Sequence, residues 1–462
     1  MDQLKAMDTA AFDSSSFAEI ILVQSNEFIT CYCISASIGF NSKFNGVECD
    51  RIAINDEKRL FKQKAGLRAL VNLSARFERW VTIGVVGLAL FLDYLLYGAA
   101  IPLTPYAPGQ LRHDQMGALY GWYAVSVLVV TPVFGYLGDR FGSRPTLFCG
   151  VILAGISSLS FAIGSGFFIL SIAKLCQGAA SAALWTSGLA LVAERYTERR
   201  AEMIGYAFTG STAGSVLGPV LAGVLHRAAG YSIPFVLVGG LFALEGFLLL
   251  LVPKGRRGSS EPVKWRTLLL NSSILAQAGF VTLAAFAWGI VEPLLPYHLE
   301  SLGASVEVVG ILFTVSSVLY GLSAPWVGRL SEHFGVQPII LLGLISMAVL
   351  LPLLSVPEQI VLIGGVLCLV NVSYAFILNP ASAELGNAVD RAGMSCYSAV
   401  YAVYNISYSA GMIATTALAT ATAGTLGFRG MLVSISAVLV LCGVVAASMQ
   451  IRRRSMTESS VS

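Results

Sequence analysis

The chain has 462 residues, of which 56% are hydrophobic and 12% charged, and its formal net charge is +3. Its mean hydropathy is +0.74. Soluble domains carry about 25% charged residues, so this composition excludes an ordinary soluble protein. Apolar runs of about 20 residues, the length that crosses a bilayer as a helix, alternate with short charged segments. They predict an all-α integral membrane protein.

The first 79 residues are polar and irregular, with one apolar patch at 28–40. This patch is too short to cross a membrane. It also lacks the basic leader of a secretory signal and lies too far from the N-terminus to be one. We therefore expect 1–79 to be a cytoplasmic tail of poor order.

Twelve membrane spans follow the tail. Their approximate positions are 81–103, 117–137, 146–164, 167–192, 201–225, 231–252, 270–298, 306–328, 338–355, 359–385, 394–419 and 427–449. Segment 254–268 is polar and basic, and we interpret it as a cytoplasmic linker. It separates a six-helix bundle at 80–253 from a second bundle at 269–450, and 451–462 is a short cytoplasmic tail.

The basic residues predict the orientation, because cytoplasmic loops carry an excess of lysine and arginine. With the N-terminus inside, seventeen basic residues near the span ends fall on the cytoplasmic side. Three fall on the other side: Arg112, Arg227 and Arg429. Both termini are therefore predicted to be cytoplasmic.

One segment of the chain occurs twice, 193 residues apart. Residues 132–145 read PVFGYLGDRFGSRP, and residues 325–338 read PWVGRLSEHFGVQP. Both copies keep two prolines, two glycines and an acidic residue, which is Asp139 in the first and Glu332 in the second. A membrane protein whose second half repeats its first is built as two related bundles, with a substrate site between them.

The loop with Gly135, Asp139, Arg140, Gly142 and Arg144 resembles the signature between helices two and three of the major facilitator superfamily. The resemblance implies twelve helices in two pseudo-symmetric six-helix bundles. We expect Asp139 to pair with the two arginines in one conformation and not in another, which would gate the transport cycle. The alternative is that the arginines only hold the loop on the cytoplasmic side.

The fifth span carries a motif similar to that of the superfamily's drug:proton antiporters, with Ala222 where a glycine is usual. Its residues are Gly205, Gly210, Gly214, Gly218, Pro219 and Gly223. Glycines that recur every four residues allow close helix packing, which is the structural interpretation. The functional alternative is that the tight helix contact made by these glycines and Pro219 limits leak through the transporter.

Four segments resemble the vesicular amine transporter branch of the superfamily, and the likeness covers roughly 80–450. They are 91–94, 175–178, 244–246 and 291–296. The chain departs from the branch at Tyr123, where the branch has a lysine in span two, and near Ala375, where it has an aspartate in span ten. The resemblance therefore implies the transport cycle and leaves specificity for monoamines open.

Two acidic residues lie inside predicted spans. Asp93 is near the middle of span one, and Glu292 precedes Pro293 in span seven. Carboxyl groups inside a membrane are costly and usually line an aqueous path, and a proline loosens the helix beside it. We expect each acid to bind a proton or a cation; the alternative is an acid whose hydrogen bonds are satisfied by neighbouring helices.

Three further side chains are candidates in spans four and six. Lys174 and Gln177 share one face of span four, and Lys174 could pair with Asp93, contact the substrate or extend to the outer surface. Glu245 in span six matches the amine branch, with support of helix packing as the alternative.

Span eleven carries a polar stripe that includes Tyr401 and Asn405. Tyrosines in such a stripe could stack on an aromatic or cationic ligand. The alternative is packing between helices with the hydroxyl groups hydrogen-bonded.

These patterns together predict a proton-coupled antiporter that exports a small organic compound, such as a drug, toxin or secondary metabolite, by alternating access. The sequence holds no phosphate loop, metal-ligand cluster or catalytic nucleophile, so we expect no enzyme, no metal and no cofactor, with the proton gradient as the energy source. One alternative is a non-transporting receptor or scaffold of the same fold, and another is a vesicular or vacuolar amine-type transporter. A sugar uniporter or importer is a third alternative, and the motif in span five disfavours it. We expect a monomer in the plasma membrane without a nucleic-acid partner, and a vacuolar or vesicular membrane is the alternative location.

Overall fold

The computed structural model describes residues 80–108, 113–164, 166–252, 265–422, 425 and 427–459, which all belong to one compact unit, Ser74–Ser462. The predicted tail 1–79 and the predicted linker residues 254–264 lie outside the described residues. Within the described ranges the backbone forms helices and no strand.

Twelve long helices make up the described part of the chain. They are α1 (Trp80–Leu103), α2 (His113–Phe141), α3 (Ser143–Ile163), α4 (Gly166–Arg195), α5 (Arg200–Ala229), α6 (Ser232–Leu249), α7 (Ser272–Ser301), α8 (Val306–Phe334), α9 (Val336–Leu353), α10 (Ile360–Arg391), α11 (Tyr397–Thr422) and α12 (Gly427–Ser459). A short 3₁₀ turn (Thr104–Tyr106) follows α1, and a short helix (Trp265–Leu270) precedes α7.

Eleven of these helices are long and apolar enough to cross a membrane, so the chain is an integral membrane protein. Among the described helices of span length, α11 is less apolar than the others, because it carries four tyrosines, several serines and Asn405. The twelve predicted spans thus correspond to twelve helices. Helix α12 continues to Ser459, beyond the predicted end of the twelfth span at 449 and into the segment predicted to be the C-terminal tail.

The two halves of the chain pack alike, as the sequence repeat predicts. In the first half α3 packs against α4 and α6, and α2 packs against α4; in the second half α9 packs against α10 and α12, and α8 packs against α10. The halves meet through α2 with α11 and through α5 with α8. These two contacts are equivalent under the repeat, so the interface has the same pseudo-symmetry as the bundles.

Small residues let the halves approach closely at one end of the molecule. A Cβ atom at Gly135 of α2 would lie 2.7 Å from the Cβ of Ala402, and one at Gly205 of α5 would lie 2.7 Å from the carbonyl of Ala324. We call this end of the bundle, where α2 and α8 end and α5 and α11 begin, the charged end. The polar residues described below line its interface.

Candidate functional site

Asp93 lies on α1 and its side chain is buried. Its Oδ2 atom accepts a hydrogen bond from Ser181 Oγ at 2.8 Å and another from Trp185 Nε1 at 3.1 Å, both on α4. The Tyr123 hydroxyl donates in turn to Ser181 Oγ at 3.3 Å. One face of α4 therefore holds the carboxyl group in place, and a buried acid held by neutral donors can change its protonation state without breaking an ion pair.

Aromatic rings of the first half surround this acid. Tyr94 contacts Trp185 with ring centroids 5.8 Å apart, and Tyr97 contacts Tyr123 at 5.1 Å. Tyr123 stands where the amine branch has a lysine, and no sequence pattern marks Tyr97. Both tyrosines are uncharged and lie in apolar spans, so only their contacts identify them as part of the site.

Glu292 lies on α7, and its side chain is exposed although it sits within a membrane span. The Trp288 side chain, one turn earlier, lies near it. Trp288 stacks on Tyr374 of α10 with ring centroids 5.5 Å apart, and the Tyr374 hydroxyl donates to the Tyr408 hydroxyl at 3.1 Å. The second half thus presents its own carboxyl group among aromatic rings.

The two sets of side chains line one space between the halves. The Tyr94 hydroxyl of α1 lies within electrostatic range of Asp93 and also of Tyr320 on α8 and Tyr408 on α11. Tyr408 is in turn within range of Glu292. Glu292 is exposed and the side chains of Tyr94, Tyr320 and Tyr408 are only partly buried, so a space remains among them. We call it the central cavity.

Asn405 of α11, a predicted site residue, bridges the halves beside this cavity, because its Nδ2 atom donates to Thr186 Oγ1 of α4 at 3.1 Å. Tyr401 lies one turn closer to the charged end and donates to the Ser382 carbonyl at 3.0 Å. Tyr401 is fully buried. It therefore packs within the second half, in agreement with the structural alternative for the tyrosine stripe.

Lys174 is fully buried on α4, so it does not extend to the outer surface. Its ammonium donates to Gln177 Oε1 at 3.0 Å and lies 5.3 to 5.9 Å from the rings of Tyr97, Tyr123 and Phe161. A pair with Asp93, one of the three alternatives for Lys174, is not formed here, since Asp93 is bonded to donors two turns further along α4. Lys174 and Gln177 therefore form a second polar group on α4, about two turns before the residues that bind Asp93.

Glu245 of α6 is also fully buried, and neither carboxyl oxygen has a hydrogen-bond partner within the described residues. The next residue, Gly246, faces Phe148 and Val151 of α3. Glu245 therefore lies in the seam between α3 and α6, and the structure does not bring it together with Asp93 or Glu292.

The charged end is closed by a carboxylate that caps a helix of the other half. Asp139, near the end of α2, accepts hydrogen bonds from the backbone N–H groups of Ser398 at 2.8 Å and Ala399 at 3.0 Å. These groups belong to the first turn of α11, whose N–H donors have no partner inside the helix. The positive end of the helix dipole also favours an anion there.

The expected ion pairs of Asp139 with Arg140 and Arg144 are not formed. Arg140 donates to the Tyr136 hydroxyl at 2.7 Å, and Arg144 donates to the carbonyls of Leu249 and Leu250 at the end of α6. A turn at Gly142, which has a φ of 99°, separates α2 from α3. Arg144 follows this turn and faces α6, whereas Asp139 lies on α2 before it and faces α11.

The repeat of the motif makes the equivalent contact. Glu332 of α8 accepts a hydrogen bond from the backbone N–H of Glu202 at 3.2 Å, in the first turn of α5. Asp139 and Glu332 thus each cap the first turn of a helix in the opposite half. Glu332 is part of the sequence repeat, but its partner can be identified only from the structure.

Ion pairs that sequence analysis does not predict reinforce this closure. Arg200 of α5 is buried and pairs with Asp390 of α10 at 2.8 Å. Glu202 is buried between Arg199 of its own half and Arg329 of α8, and Arg329 Nη2 lies 2.6 Å from Glu202 Oε1. Both clusters cross the interface, so separation of the halves at this end would expose unpaired charges.

The glycines of the predicted antiporter motif line the seam between α5 and α1. A Cβ atom at Gly218 would lie 2.8 Å from the Leu95 carbonyl oxygen, and Cβ atoms at Gly210 and Gly214 would overlap the carbonyl oxygens of Gly87 and Phe91. The other three motif residues do not make such a close contact between α5 and the α1 backbone. Pro219 packs on Gly98 of α1, Gly205 faces α8, and Gly223 has no neighbouring atom within 4 Å of a Cβ atom.

Comparison with known proteins gives the family. The sequence model of the Major Facilitator Superfamily matches residues 86–282 and 277–460. The human synaptic vesicular amine transporter is 28% identical over 335 residues, which cover 71% of this chain and 65% of that protein. The probable vesicular acetylcholine transporter-B of Danio rerio is 28% identical over 357 residues, which cover 72% of this chain and 71% of that protein. The chain thus matches about two thirds of the length of these relatives.

A solved structure shows the same fold. The human organic anion transporter MFSD10 superposes with a TM-score of 0.63 at 16% sequence identity, and the match covers 80% of this chain and 99% of that chain. At this identity the likeness concerns the fold alone. The resemblance to this superfamily that the motifs predicted is confirmed.

Proposed function

The chain belongs to the Major Facilitator Superfamily, and on that premise we propose that it is a proton-coupled antiporter that moves a small organic cation across the membrane by alternating access. The observation that carries the proposal is the central cavity, where a carboxyl group from each half lies among aromatic rings. Acids inside a membrane bundle mark ion and proton paths, and aromatic faces attract organic cations.

The two acids have different surroundings, and we assign them different roles. Asp93 is buried and held by Ser181 and Trp185, which suits a group that binds and releases a proton. Glu292 is exposed to the cavity beside Trp288, which suits contact with a cationic cargo. Two opposite unit charges about 4 Å apart attract by about 4 kcal/mol at an effective dielectric constant of about 20, so Glu292 can favour a cation strongly over a neutral analogue.

The relatives support an amine as cargo, because the names of two of them specify an amine and acetylcholine. This supports the amine-type function, given above as an alternative, better than general export of drugs, toxins or secondary metabolites. Vesicular relatives likewise favour a vesicular or vacuolar membrane over the plasma membrane. We propose a monomer without a cofactor, driven by the proton gradient.

Contacts between the halves support a conformation that is closed at one side. These contacts run from the charged end to the level of Asn405 and Thr186. We propose that the charged end faces the cytoplasm, with both termini on that side. The central cavity would then be open to the lumen or the outside, in position to take up a proton and release cargo.

Reconstituted protein in liposomes with an acidic interior tests this function. We expect tyramine, a cationic aromatic amine, to accumulate and to dissipate the pH gradient faster than in protein-free liposomes, which its uncharged form also enters, whereas the protein should not change the uptake of its neutral counterpart 4-ethylphenol. A protonophore should abolish the accumulation. Accumulation that is insensitive to the protonophore would refute proton coupling.

The same experiment separates transport from the alternative of a receptor or scaffold. A receptor would bind tyramine without moving it into the liposomes. Binding without accumulation under an imposed gradient would therefore overturn the proposal.

A further inference from the structure

A row of aromatic and basic side chains crosses the interface at the charged end. Trp80 of α1 contacts Tyr206 of α5 with ring centroids 6.3 Å apart. The Tyr206 hydroxyl accepts a hydrogen bond from Arg329 Nη2 of α8 at 3.2 Å, and the Arg329 guanidinium lies 5.3 Å from the centre of the Trp326 ring. We call Trp80, Tyr206, Arg329 and Trp326 the interface row.

The interface row is open to the surroundings of the protein. Trp80 is 59% exposed and Trp326 is 70% exposed. The side chain of Arg329 is 45% exposed although it binds Glu202. An arginine that remains half exposed between two exposed tryptophans has room for a further ligand.

Arg329 also shares its protein partner with a second arginine. The buried carboxylate of Glu202 pairs with both Arg329 and Arg199, and the side chain of Arg199 is 57% exposed. Glu332 lies within electrostatic range of Arg199, but it accepts a hydrogen bond from the Glu202 backbone. Arg329 uses Nε and Nη2 within the protein, which leaves other guanidinium N–H groups for an anion from outside.

This combination matches the chemistry of a phospholipid headgroup. Tryptophan is enriched where helices meet the membrane–water interface. The guanidinium group of arginine binds phosphate more specifically than an ammonium does. We propose that the headgroup of an anionic phospholipid binds at the interface row, with its phosphate on Arg329 and its upper acyl chains along the two tryptophans.

Binding at this place would be linked to the conformation of the protein. Trp80 and Tyr206 belong to the first half, whereas Trp326 and Arg329 belong to the second. The row is complete only when the charged end is closed. A ligand that binds one conformation better shifts the equilibrium toward it, so the lipid stabilises the closed charged end.

Native mass spectrometry of the purified chain tests the proposal, with phosphatidylglycerol and phosphatidylcholine as paired probes. We expect the wild-type protein to retain phosphatidylglycerol preferentially. Each basic side chain near a membrane surface contributes about 1 kcal/mol to the attraction of anionic lipid, so Arg329→Gln should weaken retention about fivefold. Trp326→Ala should weaken it while leaving all charges in place.

Arg391→Gln is the matched control. Arg391 is also an arginine of the second half at the charged end, is 56% exposed and pairs with Glu384, but it lies outside the interface row. It should leave phosphatidylglycerol retention unchanged. Equal loss in Arg391→Gln and Arg329→Gln would show nonspecific attraction and overturn the proposal, and so would undiminished retention in Trp326→Ala and Arg329→Gln.

A soluble anion is separated from a lipid by competition. Inorganic phosphate at millimolar concentration should not displace phosphatidylglycerol, because it cannot occupy the surface along the tryptophans. Complete displacement would identify the row as an anion site and refute the lipid assignment. None of these measurements depends on cargo transport, so they remain valid if the proposed function fails.

Discussion

Asp139 at the end of α2 accepts a hydrogen bond from the backbone N–H of Ser398, in the first turn of α11, at 2.8 Å. The contact joins the two halves of the molecule, and the second carboxylate oxygen repeats it with Ala399. A carboxylate at a helix N-terminus contributes up to about 2 kcal/mol in a partly buried position. Asp139 therefore stabilises the conformation in which the charged end is closed.

Asp139→Asn should slow transport more than it weakens binding. The amide keeps one acceptor oxygen and replaces the other with a donor that faces an N–H group, which destabilises the closed state. We expect the maximal transport rate to fall severalfold while tyramine affinity changes little, measured as separate quantities in liposomes and by binding. Arg140→Gln is the control, since Arg140 bonds to Tyr136 of its own helix. A collapse of affinity with a normal maximal rate would contradict the gating role.

Asp93→Asn should abolish transport driven by the proton gradient, because the amide keeps the shape of the side chain but cannot take up a proton. Counterflow of tyramine, which exchanges cargo for cargo, needs no net proton movement and should persist. Ser181→Ala is a matched control that removes a donor and keeps the acid. Gradient-driven uptake by Asp93→Asn at the wild-type rate would exclude Asp93 as the coupling site.

Glu292→Gln should weaken the binding of cations more than that of neutral ligands. The loss of a charge attraction that exceeds about 1.4 kcal/mol corresponds to about tenfold or more in affinity. Affinities for tyramine and for 4-ethylphenol, measured on the same protein, give the comparison. Equal small changes for both compounds would argue against direct contact between Glu292 and the cargo.

Gly214→Ala should destabilise the protein, because the added methyl group would overlap the Phe91 backbone in the seam between α1 and α5. Overpacking of this kind costs about 1 to 3 kcal/mol. Gly223→Ala is the control on the same helix, where a Cβ atom meets nothing within 4 Å. Thermal unfolding in detergent should show a lower midpoint for Gly214→Ala only, and equal midpoints would contradict the close packing.

The sequence by itself determined the architecture of this protein. Apolar runs of span length depend only on local composition, and the repeat of 132–145 at 325–338 shows the two related halves without any contact being known. The positions of Asp93 and Glu292 within spans likewise follow from the local pattern. These features can be predicted from the sequence because a helix that crosses a bilayer needs a local run of about 20 apolar residues.

Only the tertiary structure decided which side chains meet. The sequence predicts that Asp139 pairs with nearby arginines in one conformation and not in another, and in this structure it bonds to the backbone of Ser398 in the opposite half. The buried position of Lys174 and the clamp of Glu202 by Arg329 are equally hidden in the sequence. The physical reason is that the packing of α2 on α11 and of α5 on α8 determines which side chains meet across the interface. Such contacts between distant helices leave no periodic pattern in the sequence of either helix.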